Sequence, residues 1–309
     1  MSPKSNKGPR LDSLGYGTTI STTTARLVDA AVAIQQDPTT RPDFLHGILC
    51  QVGLPRSKVA GDTFERRSGS ASLRIKAGEL WDGMQWQPQP IPFGTRPRLA
   101  LIHVSSEAVR TRNPEVEVGR SMRDFLGRLG LDASGREYGV FRRQMSALAA
   151  CEMRLGLGMT TLRVQPIEEF SAWLHPTGAQ AVLWPGVLRL SDRFYESLAA
   201  SAVPLDPRAL GALSHSALAL DCYTWLAQRL HRVERAPGVK LSWGNLAEQF
   251  GSEYADRRNF KRKFRIALRE AMAVYADAKV ELVPGGLLLK PSPPPVRRSL
   301  VALPKVDRA

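Results

Sequence analysis

Arg257-Arg258-Asn259-Phe260-Lys261-Arg262-Lys263-Phe264-Arg265-Ile266-Ala267-Leu268-Arg269 has the spacing of a two-sided helix. Phe260, Phe264, Ala267, Leu268 and Ala271 fall on one face at helical periodicity. Arg258, Arg262, Arg265 and Arg269 fall on another, with Lys261 and Lys263 at its margins. A solvated surface helix ordinarily interleaves such cations with Glu or Asp for i,i+4 pairs. Here no acid occurs between Asp256 and Glu270. A helix fastened to a core on one side and carrying uncompensated positive charge on the other calls for a polyanion, and nucleic acid is one.

The whole chain shares that bias. Its 309 residues carry 43 Lys and Arg against 29 Asp and Glu, a formal charge of +14, with a pI near 10.2. The 43% hydrophobic and 23% charged content is ordinary for a globular protein. The length allows two domains, each able to bury its own core. The charge favours nucleic acid or an anionic membrane surface, and no apolar run approaches the ~20 residues of a spanning helix. The start, Met1 to Arg10, is basic but leads into Ser/Thr-rich sequence instead of an apolar signal core. A cytoplasmic protein is therefore expected.

Chemistry-bearing clusters are missing from the sequence. Cys50, Cys151 and Cys222 lie far apart without CxxC spacing, which predicts three reduced, mostly buried thiols and no zinc site. The five histidines are equally dispersed. No G-x-x-x-x-G-K-[S/T] loop supports an ATP-driven motor, and no H-x-H stands near a tyrosine as a metal-dependent nicking initiator would need. Tyr195, Tyr223, Tyr254 and Tyr275 read as packing residues, and Asp221, inside an apolar helix, as a structural hydrogen-bond acceptor. The six tryptophans read as core anchors. Neither cofactor, metal nor enzymatic activity is expected.

Two halves of the chain can be laid on one another. Ser121-Met-Arg-Asp-Phe-Leu-Gly-Arg-Leu-Gly130 matches Ser242-Trp-Gly-Asn-Leu-Ala-Glu-Gln-Phe-Gly251 in capping serine, apolar spacing and terminal glycine. Phe141-Arg-Arg-Gln-Met145 matches Phe260-Lys-Arg-Lys-Phe264, and Thr160 to Val164 is laid on Lys279 to Val283. Helices are expected over about 25–34, 97–110, 122–129, 136–155, 209–233, 242–250 and 256–275. A hairpin is expected around Pro284-Gly-Gly286. Arg56 to Ser72 reads as a linker or exposed loop. Each half thus runs helix, strand, short helix, turn, long basic helix, β-hairpin, the order of a winged helix. The fold expected is α+β and predominantly helical: two tandem winged-helix domains with β-hairpin wings. Residues 1–44 read as a flexible basic tail with a short helix and 45–203 as the first domain, with its core at about 73–200. Residues 204–292 read as the second domain and 293–309 as a flexible basic tail.

Ser214-His-Ser-Ala-Leu-Ala-Leu-Asp-Cys-Tyr-Thr-Trp-Leu-Ala-Gln-Arg-Leu-His231, Leu241-Ser-Trp243, Gln249-Phe-Gly251, Phe260-Lys-Arg262 and Leu289-Lys-Pro-Ser-Pro-Pro-Pro-Val296 resemble the plasmid-encoded RepA replication initiator family. Trp184-Pro-Gly and Phe194-Tyr-Glu-Ser-Leu also fit its pattern. The likeness is best over about 184–296 and extends back to about 45. It implies a theta-type initiator that binds direct repeats (iterons) at a plasmid origin and recruits a host initiator and replicative helicase. It also implies a dimer formed through the first domain. These motifs are structural and transfer no active site.

The residues expected to contact double-stranded DNA are Arg257, Arg258, Lys261, Arg262, Lys263, Arg265 and Arg269 in the second half, with Arg142 and Arg143 in the first. The two long helices would enter successive major grooves about one helical turn, ~10 base pairs, apart. A winged-helix transcriptional regulator without an origin function suits the same residues. An RNA-binding protein is a further alternative, separable by competition between B-form DNA and A-form RNA.

Overall fold

Serines at helix starts place the elements largely where the apolar spacing predicts them. The Ser121 side chain accepts from Asp124 N. Ser242 and Asn245 form a reciprocal capping box, each accepting from the other's backbone N–H. The computed structural model describes residues 21–169, 186–234 and 236–296. Trp173 and Trp184, the first twenty residues and the tail from residue 297 lie outside the described residues.

The elements run in order α1 (Thr22–Gln36), β1 (Asp43–His46), α2 (Gly47–Gln51), β2 (Thr63–Ser68), β3 (Ala71–Lys76), β4 (Glu79–Trp81), β5 (Trp86–Pro88) and α3 (Thr95–Thr111). Then come β6 (Glu115–Glu117), α4 (Met122–Arg128), α5 (Gly135–Ala150), β7 (Glu152–Leu157), β8 (Thr160–Val164), β9 (Ile167–Glu169), β10 (Val187–Leu190), α6 (Asp192–Ser201) and β11 (Ala202–Leu205). The last are α7 (Pro207–Leu213), α8 (Ala217–Arg229), β12 (Val239–Ser242), α9 (Trp243–Phe250), α10 (Arg257–Ala273), β13 (Val280–Val283) and β14 (Gly286–Leu289). Helices and strands are mixed, and one apolar core continues from Leu27 to Leu289.

Two three-stranded sheets have parallel histories. In one, β12 pairs with β14, and β14 with β13, all antiparallel. In the other, β6 pairs with β10, and β10 with β9. Each sheet therefore joins the strand before a short helix to two antiparallel strands after a long one. The strand standing where β13 stands is β9, not the Thr160–Val164 strand aligned with it from sequence. The hairpin β7–β8 is an addition between α5 and β9. It joins β2 and β3 in a four-stranded sheet of order β2-β3-β7-β8.

That sheet overturns the reading of Arg56–Ser72 as a linker. Residues 63–68 form β2 with Phe64 and Arg66 buried, and Arg56 is half-buried. The inward face of β2 alternates an aromatic with an arginine, so no apolar period marks it. Arg66 is tolerated because Gly53 O and Leu54 O accept from its Nη1 at 2.9 and 3.0 Å and carboxylates from the far end of the chain meet it.

Three other boundaries differ from the spacing-based ones. The helix expected to reach 155 ends at Ala150, and β7 begins two residues later. Met153 and Leu155 suit a period of two as well as one of 3.6. The helix expected over 209–233 is broken into α7 and α8 by a new start at Ser216, whose side chain accepts from Ala219 N. The proline run 293–295 packs back on the fold in place of opening a loose tail: the Tyr275 hydroxyl donates to Pro293 O at 2.5 Å and Val296 is buried. Of the described tryptophans, Trp225 is buried, whereas Trp81 and Trp86 stand 49% and 62% exposed on the β4–β5 hairpin and are not core anchors.

Candidate nucleic-acid interface

Helix α10 starts at Asp256, whose carboxylate accepts from Arg258 N and Asn259 N, both at 3.0 Å. Those bonds hold its carboxyl below the usual range. Phe260 and Phe264 are the buried anchors, against the rings of Tyr254 and Phe250. The opposite side is open: Arg257, Arg258, Arg262, Lys263, Arg265 and Arg269 are exposed and Lys261 is half-buried.

Among the described residues, no carboxylate pairs with any of these seven cations. The next acid along, Glu270, is turned away to His215 at 3.4 Å. Their contacts are local: Arg262 donates to Asn259 Oδ1 at 3.0 Å and Arg269 Nε to Arg265 O at 3.4 Å. Five of them sit in the first two turns, towards the positive end of the helix dipole, where cations are disfavoured. An incoming phosphate relieves both the mutual repulsion and the dipole.

Trp243, the first residue of α9, belongs to this surface, although its type suggested only core. Lys261 Nζ lies 5.5 Å and the Arg265 guanidinium carbon 5.2 Å from its ring centroid, and Phe264 meets it edge-on. One ring thus steadies two cations a turn apart. The glycines ending the two short helices serve different purposes: Gly130 has φ +65°, while a side chain on Gly251 would stand 2.6 Å from Ala247 O.

Helix α5 shares the anchors but not the reach. Phe141 and Met145 are fully buried, as Phe260 and Phe264 are. Arg143 is exposed and Arg142 half-buried. Beyond them Gln144 turns inward, its Oε1 accepting from Phe93 N at 2.7 Å, and residues 145–150 are all buried. The positions matching Arg265, Ile266 and Arg269 are Ser146, Ala147 and Ala150. The chain crosses so close here that a Cβ on Gly78 would lie 2.1 Å from Ala150 O. Only the first two turns of α5 face solvent, and they add the exposed Arg136 to Arg143 on one side.

A second basic surface was invisible in one dimension. The register of the four-stranded sheet aligns Glu65, Arg74, Arg154 and Arg163 side by side on its solvent face. Glu65 pairs with Arg74 at 3.0 Å. Arg154 and Arg163 have no acidic partner among the described residues, and neighbouring like charges disfavour one another. In the β6-β10-β9 sheet the reverse holds: Arg189 is neutralised by Asp192, Glu168 and Glu115 at 3.1, 3.3 and 3.6 Å. Among the described residues no cluster of His, Cys, Asp and Glu could hold a metal ion, and no helix is long and apolar enough to cross a membrane.

A protein-family model described as "Plasmid encoded RepA protein" matches residues 91–245, half of the chain, from just before α3 into α9. No curated protein matches. Among solved structures, this chain is similar to a crystal structure of RctB domains 2-3, with 15% identity and a TM-score of 0.45 over 72% of this chain and 82% of that one. It is also similar to a selenomethionine form of RctB domain 2 and domain 3, with 12% identity and a TM-score of 0.48 over 76% and 89%.

Proposed function

This chain belongs to the family of plasmid-encoded RepA proteins, and from that premise we propose how it acts as a plasmid replication initiator: by laying α10, and beside it the first two turns of α5, into the major groove of repeated duplex sites at the origin. The observation that carries this reading is the row of cations along the open side of α10 that no carboxylate among the described residues meets.

Each half acts as a winged helix. In the second, residues 204–292, α8, α9 and α10 are its helices and β13–β14 its wing. In the first, residues 45–203, α3, α4 and α5 are the helices and β9–β10 frame the wing. The paired three-stranded sheets support this assignment. Arg257, Arg258, Lys261, Arg262, Lys263, Arg265 and Arg269 divide between guanine edges and phosphates, and Arg142 and Arg143 extend the contact. The protein works in the cytoplasm without catalysis, handing the opened origin to a host initiator and replicative helicase. Dimerisation through the first half would regulate it.

Footprinting on DNA carrying the plasmid's own direct repeats tests the reading. The wild-type chain should protect roughly 20 base pairs per repeat, and Arg258→Ala with Arg262→Ala should abolish protection. Unchanged protection by that double variant would remove α10 from the interface.

A further inference from the structure

Three guanidiniums and two carboxylates meet between the halves. Arg98 of α3 donates to Asp221 of α8 through Nε at 2.7 Å and Nη2 at 3.0 Å. Arg56 and Arg66 reach the same carboxylate at 3.3 and 3.8 Å. Glu253, in the connection between α9 and α10, accepts from Arg56 N at 2.8 Å, Ser57 N at 3.0 Å and Ser57 Oγ at 3.1 Å. It also pairs with Arg66 and, at 3.3 Å, with Arg56. Arg56 donates to Phe250 O as well, and its guanidinium carbon stands 5.8 Å from the Tyr254 ring centroid. Gln249 Nε2 donates to Gln51 O at 2.8 Å alongside.

Every cation in this set comes from residues 56–98 and every anion from residues 221–253. Side-chain exposure is at most 14%. Breaking one partner of a buried set strands a charge, so the halves cannot slide past one another by degrees. The backbone closes over the set: a Cβ on Gly53 would lie 2.5 Å from Asp221 Oδ1. Two routes then link the reading helices. One runs from α5 to α3, across Arg98–Asp221 to α8, and on to α10, which packs on it. The other runs from the end of α5 into β7, across β3 to β2, and through Arg66 to Glu253, three residues before the cap of α10.

We propose that this buried ion cluster is a ruler: it fixes the spacing and angle of α10 relative to α5, and Glu253 is a positioning residue for the distance between the two DNA segments they contact. The proposal rests on both helices docking on one duplex. A rigid pair tolerates one spacing only, because successive base pairs rotate the groove and about 5 extra ones turn the second segment to the opposite side of the helix.

The test uses the full-length chain and duplexes carrying the footprinted site, either intact or with about 2 or 5 base pairs inserted between the segments facing α5 and α10. Anisotropy titrations should show wild-type affinity falling ~100-fold or more on the longer insertion, towards non-specific binding. Glu253→Gln should bind the intact site ~10-fold more weakly, yet lose less than ~10-fold on insertion. A Glu253→Gln protein with a wild-type melting profile and the full wild-type insertion penalty overturns the proposal. So does an equal loss on a duplex bearing the α10 segment alone, which makes Glu253 local to the second half. If Glu253→Gln does not fold, Arg56→Lys, which keeps the charge but loses the forked geometry, is read by the same comparison. A wild-type chain indifferent to insertion removes the two-helix docking itself, a result distinct from either.

Discussion

Asp221 shows what a single side chain does here. Burial alone would raise its carboxyl, but the guanidiniums of Arg98, Arg56 and Arg66 outweigh that and hold it below the usual carboxylate range. Burial pushes Arg66 down to about 10, with Arg56 beside it acting in the same direction. Glu253 is likewise lowered, its desolvation outweighed by Arg56 and Arg66. Asp221→Ala should cost about 3–5 kcal/mol in urea unfolding, because it leaves buried cations unpaired. His46 gives a separate acid sensitivity. Its Nδ1 accepts from Ile48 N at 3.1 Å, so the proton sits on Nε2, 2.8 Å from Ser197 Oγ. Burial pulls its pKa down to about 4. The folded form therefore resists a proton that the unfolded chain accepts near pH 6.5. Stability contributed by the neutral ring is present above that pH and is lost as pH falls towards about 4, on the order of 3 kcal/mol in all. Urea midpoints measured between pH 7 and 4.5 should drop less in His46→Gln than in wild type.

Among elements, α10 and α5 are alike in anchors and unlike in what they can touch. Burial of residues 144–150 confines α5 to its first two turns, so Arg143→Ala should weaken origin binding less than Arg262→Ala, which should cost about 1–3 kcal/mol if it reads a base. Parallel titrations of the two variants on one duplex check the order. Trp243→Ala should also weaken binding, by up to ~1 kcal/mol, because Lys261 and Arg265 lose the ring that steadies them. Its readout is affinity at unchanged melting temperature, which separates steadying of the cations from packing. Both long helices were legible in the sequence because Phe141–Met145 and Phe260–Phe264 repeat one anchor spacing. Their unequal exposure was not, since the cover over Ala150 comes from Gly78, far back in the chain.

For the molecule as a whole, the cations on one helix predict strong salt dependence. Neutralising ~6–10 phosphates makes affinity fall ~10³–10⁵ between 50 and 200 mM salt. With α5 contributing two turns only, the slope should lie towards the lower end of that range. Arg154→Ala with Arg163→Ala, on the four-stranded sheet, should leave the slope unchanged if that face stays clear of the duplex, and reduce it by about 2 if the duplex wraps onto it.

The residues alone determined the helices α3, α4, α9 and α10, the caps at Ser121 and Ser242, the β13–β14 hairpin and the uncompensated charge of α10, because each depends on neighbours within a few positions. The tertiary structure decided which strands share a sheet, that β7–β8 joins β2 and β3, and that Arg56, Arg66 and Arg98 find their counter-charges in Asp221 and Glu253. The physical reason is separation: periodicity reports which side of an element is apolar, but a buried charge or a covered helix end is settled by groups far away along the chain, and only folding brings them into contact.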